Sequence, residues 1–262
     1  MTPSAPTPRY ENPPLLEAVL GFRFARAPRS WDSVYFGKLH LALKGFPRVD
    51  TLEGASLTFQ PGQGVQFTPA PEVKRFIRED GGVVVSASPE TVGVSVLPKQ
   101  IAGGHPGWDF LRDTALWALQ AYESITSPGP LQEVGVRYID VVPIDPGSFR
   151  LGDFVRAESG IVPMALMDER NPFAFRVERT SGTEYGNLRE VVSMQARATA
   201  TGGGELVLDV DELMQVRSEA ATPNVETLAD HLHEAVHRVF GSVIHESVLR
   251  SFNPLPAEAN AR

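Results

Sequence analysis

Residues His233-Glu234-Ala235-Val236-His237 set two imidazoles four positions apart with a carboxyl between them. On a helix this spacing brings both rings to one side, where they could share a Zn²⁺ while the glutamate activates a bound water, the chemistry of a metal-dependent hydrolase. The surrounding pattern argues against it. At about 100° per residue the apolar stripe of this helix centres near Val236 and Val243, with His233 and His237 roughly 80–120° off and Glu234 roughly 180° away. His245 follows His237 by eight positions, later than the extended motif requires of a third histidine. The expectation is a partly solvated, histidine-rich helix side with no cofactor. Zinc on His233 and His237, with Glu234 as base, is the alternative.

Arg23 and Arg137 each interrupt an apolar run, in Leu20-Gly21-Phe22-Arg23-Phe24 and Val134-Gly135-Val136-Arg137-Tyr138. The two segments match position by position, and Pro14 and Pro128 stand at the same distance upstream, a weak internal repeat. Guanidiniums related by such a repeat could converge on one groove and grip a carboxylate, a phosphate or an acidic segment of a partner. With Tyr138 and Asp140 they form the candidate ligand- or partner-binding set. Each arginine could instead be neutralised by a carboxylate such as Glu133 or Asp140. Other chemistry lacks its residues: there is no cysteine for thiolate work or disulfides. No phosphate loop, dinucleotide fingerprint or nucleophile elbow occurs, and Gly202-Gly203-Gly204 reads as a hairpin connection.

The elements that must carry these residues follow from periodicity. Leu16 to Ala25 alternates as a strand, and Ser30 is placed to cap a helix running through Trp31, Tyr35 and Leu39. Short strands follow at Ala55–Phe59, Val65–Thr68, Val73–Arg78, Gly82–Ser86 and Thr91–Leu97, spaced as an antiparallel meander. Trp108, Leu111, Ala115, Leu116, Leu119 and Tyr122 recur at helical intervals, and a long strand spans Gln132 to Ile144. The stretch from Gly147 to Pro172 is an apolar, loop-rich region, either an adaptable contact surface or a loop folded over the core. Strands are expected at Phe173–Arg179, Leu188–Ala200 and Glu205–Val210, and a last helix from about Val225 to Leu249.

The expected architecture is an α+β fold of two similar lobes, residues 10–129 and 130–252, with a curved antiparallel sheet covered on one side by long amphipathic helices. Residues 1–9 read as a disordered lead without a secretory pattern, and residues 253–262 as a flexible tail. The 262 residues carry 24 Lys and Arg against 32 Asp and Glu, a formal net charge of −8, which gives no field for general nucleic-acid binding. No apolar run approaches the ~18–20 residues that cross a bilayer. A cytoplasmic protein without membrane association is expected.

Four segments, Tyr10-Glu11-Asn12-Pro13-Pro14, Gly107-Trp108, Arg137-Tyr138-Ile139-Asp140, and Leu232-His233 with Phe240, occur in this order across nearly the whole chain. In this it resembles a sporadically distributed, functionally uncharacterised bacterial family of about this length. One position departs from the pattern, since Asp140 stands where the resemblance leads one to expect Asn. The resemblance implies no established catalytic activity, and patchy distribution is typical of mobile accessory modules such as toxin–antitoxin or phage-defence systems. The expected function is that of a non-catalytic binding or regulatory protein recognising a protein partner encoded nearby, an accessory or antitoxin-like component. A sensor of an anionic small molecule in an inter-lobe groove and a zinc-dependent hydrolase are the alternatives.

Overall fold

A computed structural model of the protein describes residues 10–25, 31–52, 55–60, 64–69, 72–168, 172–200, 202–216 and 224–255. The expected lead at 1–9, the cap at Ser30 and the end of the tail lie outside them. In chain order the elements are β1 (Leu15–Phe24), α1 (Val34–Ala42), β2 (Arg48–Leu52), β3 (Ala55–Gln60), β4 (Gly64–Pro69), β5 (Val73–Ile77), β6 (Val83–Ala87) and β7 (Thr91–Val96). Then come α2 (Trp108–Thr126), β8 (Leu131–Ile144), β9 (Phe173–Gly182), β10 (Gly186–Ala198), β11 (Gly204–Val216), α3 (Val225–Val243) and α4 (Glu246–Ser251).

Nine strands form one antiparallel sheet in the order β2-β5-β6-β7-β1-β8-β11-β10-β9, and β3 and β4 pair separately as a hairpin. This corrects the expected two lobes under long helices. β1 and β8 pair along nearly their whole length, from Leu15 opposite Asp140 to Phe24 opposite Leu131, so the strands of both halves merge into one open sheet. Long helices reach only its middle: α2 packs on β7 and β1, α3 on β8 and β11. Beyond them the same side is closed differently. Phe76 of β5 meets His40 of α1, and Phe173 of β9 meets Phe149 of the connection before it. That connection buries Phe149, Leu151, Val155, Ile161 and Val162, so it is folded over the core.

The sheet sorts its side chains by the two-residue period of extended chain. Ala18, Leu20, Phe22 and Phe24 of β1 and Val134, Val136 and Val142 of β8 are buried beneath the helices. α2 answers with Leu111, Ala115, Leu119 and Tyr122, and α3 with Leu228, Leu232, Val236 and Val239, where each large apolar side chain contributes about 1.5–3 kcal/mol by leaving water. Tyr122 stacks on Phe24 at 5.4 Å and donates its hydroxyl to the carbonyls of Ser88 and Pro89, satisfying its one polar group.

The expected last helix is broken. Ile244 is extended and bridges to Val155, so α3 stops at Val243 and α4 begins after His245. Asn224 caps α3 by accepting from the Glu226 amide at 3.0 Å. At the other end of the fold Tyr10 bridges to Pro254 and the Glu11 amide donates to Asn253 at 2.9 Å, which ties down the first residues of the expected tail. No described helix is long and apolar enough to cross a membrane.

Candidate functional site

β8 carries three of the four candidate binding residues and Asp140's neighbours, and its alternation parts them. Tyr138 and Asp140 lie beneath the helices, whereas Arg137 faces the opposite side together with Arg23 of β1. The set is therefore two arrangements on two faces.

Beneath the helices, segments far apart in the chain meet. The Tyr138 hydroxyl and His233 Nδ1 share a hydrogen bond of 2.9 Å, and the Trp108 indole lies parallel to the His233 ring at 4.2 Å. Trp108 Nε1 donates to Asp230 Oδ1 at 2.7 Å, and Arg112 of α2 donates to the same oxygen at 3.2 Å. His237 stands edge-on to His233 at 4.5 Å and to Tyr138 at 5.5 Å. Tyr10 lies within electrostatic reach of Asp140, and the Val141 amide donates to the Pro14 carbonyl. The four motifs Tyr10 to Pro14, Gly107-Trp108, Arg137 to Asp140 and Leu232-His233 thus gather at one place.

Burial governs the titration there. It pushes the Asp140 carboxyl up to about 7 and the Tyr138 phenol above its ordinary range, with the Asp140 charge adding to the latter. It draws His237 down to about 4, with His105 adding to the effect, and it lowers His105, whose buried Nδ1 has no partner among the described residues. Such a group of neutral imidazoles, a phenol and a carboxyl near its midpoint can hold or move a proton. It is poorly arranged for zinc: His233 Nδ1 is engaged by Tyr138, and Glu234 is exposed on the far side of α3. Among the described residues no group of three or more His, Cys, Asp or Glu is gathered as a metal's ligand set.

The opposite face of the sheet bears no described helix. Gly93, Gly21 and Gly135 stand side by side on β7, β1 and β8, in direct register. Val19 and Leu213 flank them, half-buried, and Ile139 lies beyond Arg137 on β8. Around this strip the charges are paired. Arg137 grips Asp209 with two hydrogen bonds of 2.8 and 2.7 Å. Glu133 is almost wholly buried between Arg23 at 3.6 Å and Arg189 at 3.8 Å. Burial pushes Asp211 up to about 6 against the pull of Arg137. A shallow depression of about 420 Å³ lies beside Arg176, Ser193, Gln195 and Asp209. Arg23 and Arg137 are drawn to different carboxylates, Arg137 to Asp209 and Arg23 to Glu133, which it shares with Arg189.

The chain matches no family model and no curated protein. What the sequence alone did not disclose is the partnership of Trp108, Asp230 and His233, which joins residues more than a hundred positions apart. The glycine strip had a signal: Gly21 and Gly135 stand at matching positions in the two repeated segments, and glycine within a strand marks close approach or a flat surface.

Proposed function

We propose that the chain is a non-catalytic recognition protein, which holds a protein partner against the helix-free face of its sheet. The observation that carries this is the strip of Gly93, Gly21 and Gly135 with Val19 and Leu213, rimmed by Arg137–Asp209 and Arg23–Glu133–Arg189. An apolar centre within a polar margin is the anatomy of protein interfaces, and here a partner with an apolar knob and mixed charges around it would fit. The buried cluster of Tyr138, Asp140, His233 and His237 belongs to the same proposal as the support beneath that face. The family resemblance does too, and its support is that the motifs carrying it meet in space. A partner encoded beside the chain, as in mobile accessory systems, is the first to test.

The test uses the open space at Gly21, where an added Cβ meets nothing within 4 Å. Co-expressed with the products of adjacent genes, the wild-type chain is expected to yield one stable complex by light scattering. Gly21→Trp, with its unfolding midpoint unchanged, is expected to bind at least about tenfold more weakly, as loss of a central interface contact does. Undiminished binding by Gly21→Trp would remove this face from recognition. A saturable heat of binding for succinate that disappears in Arg176→Gln would favour instead a small anionic ligand in the depression beside Arg176.

A further inference from the structure

The two end strands of the sheet meet solvent differently. β2 is five residues long, wholly exposed, preceded by Pro47 and charged at Arg48 and Asp50, the short guarded kind of edge that resists pairing with another chain. β9 also follows a proline, Pro172, and carries charge at Arg176, Glu178 and Arg179, but it is twice as long. It runs ten residues in unbroken register with β10, from Phe173 opposite Ala196 to Gly182 opposite Asn187, without proline, lysine or bulge. No described strand pairs with its outer edge, which presents about 33 Å of backbone donors and acceptors. Phe173, Phe175 and Val177 remain only half-buried along its helix side.

The sequence of β9 also complements itself. Antiparallel pairing of two copies about Val177 sets Arg176 of each chain opposite Glu178 of the other, and Phe175 opposite Arg179. Centring the pair one residue to either side opposes Arg176 with Arg176 or Glu178 with Glu178, so the charges select a single register. The two side chains keep 61% and 45% of their surfaces exposed; their contact within one chain is a loose 3.6 Å, and Glu178 also lies 3.7 Å from Arg189 of β10. We propose that the chain forms a two-fold dimer through β9, which continues the sheet from one copy into a second. The glycine strip on β7, β1 and β8 is separated from this edge by β11 and β10, so the dimer leaves the strip itself free.

Light scattering at tens of micromolar is expected to give twice the 28.5 kDa of one chain. Arg176→Glu places like charges together twice across the two-fold and is expected to weaken the dimer about tenfold or more. Glu178→Arg is expected to do the same, and the double variant Arg176→Glu with Glu178→Arg to restore it. Arg176 is the more exposed of the two, so Arg176→Glu is the variant expected to leave the unfolding midpoint of the monomer unmoved, whereas Glu178→Arg also faces Arg189 within its own chain and is read against its own unfolding midpoint. The chain has no cysteine, so introduced thiols report alone. Val177→Cys, directly opposite itself, is expected to crosslink on oxidation, and Thr180→Cys, opposite Ala174, to remain uncrosslinked. A monomeric wild type, a dimer indifferent to Arg176→Glu, an unrescued double variant, or equal crosslinking at both positions would overturn the proposal.

Discussion

Asp140 and His237 share one buried cluster and titrate with opposite consequences. With its carboxyl lifted from 3.8 to about 7, Asp140 keeps in the folded chain a proton that the unfolded chain releases near pH 4. Its contribution therefore falls as pH rises from about 4 to 7 and stays low above. His237, drawn from 6.5 down to about 4, stays neutral in the fold while the unfolded chain takes up a proton. Its contribution falls as pH drops through the same window. Asp140→Asn keeps the shape and removes the charge. It is expected to raise stability at pH 8 by on the order of 3 kcal/mol, with the gain vanishing near pH 4. Left with the His237 slope, the variant loses stability more steeply than the wild type between about pH 6.5 and 4. Urea unfolding across this range checks both, and a gain equal at all pH values would show that the Asp140 carboxyl is not desolvated.

The glycine strip makes a claim about strands that substitution can separate. A Cβ on Gly93 would stand 3.1 Å from the Gly21 Cα and 3.1 Å from the Leu20 carbonyl, both backbone atoms that cannot swing aside. One on Gly21 meets nothing. Gly93→Val is expected to cost about 1–3 kcal/mol through overpacking, and Gly21→Val to be neutral or to stabilise by up to about 1 kcal/mol through strand preference. Equal costs in denaturant would contradict the packing of β1 against β7. The same scale explains the broken last helix. The heptad-like apolar positions continue past Val243, but pairing of Ile244 with Val155 wins locally, because it satisfies the backbone of the connection folded over the core.

Across the whole molecule the buried carboxyls outweigh the buried imidazoles. Glu212, beneath α3 and opposite Glu190, is pushed up to about 8 by burial first and that neighbour second, and among the described residues neither of its oxygens has a hydrogen-bond partner. With Asp140 near 7 and Asp211 near 6, three groups take up protons in the folded chain before the unfolded chain does. Stability is therefore expected to rise from pH 8 to about pH 5.5, with His237 offsetting part of the gain below about 6.5. A urea midpoint higher at pH 8 than at about pH 5.5 would refute this. Periodicity alone placed α2, β8 and the strands β9 to β11, because three- or four-residue and two-residue spacing of apolar groups is set by local chain geometry. It also fixed which side of β8 each residue takes, although Arg137 and Tyr138 were grouped as one site. Only the tertiary structure decided that β1 lies beside β8, that the halves share one sheet, and that Trp108 lies on His233. These pairings join residues up to 125 positions apart, as Trp108 and His233 show, and many strand orders bury the same apolar faces about equally well. The order is chosen by the packing of all the elements at once, which no single stretch of the chain encodes.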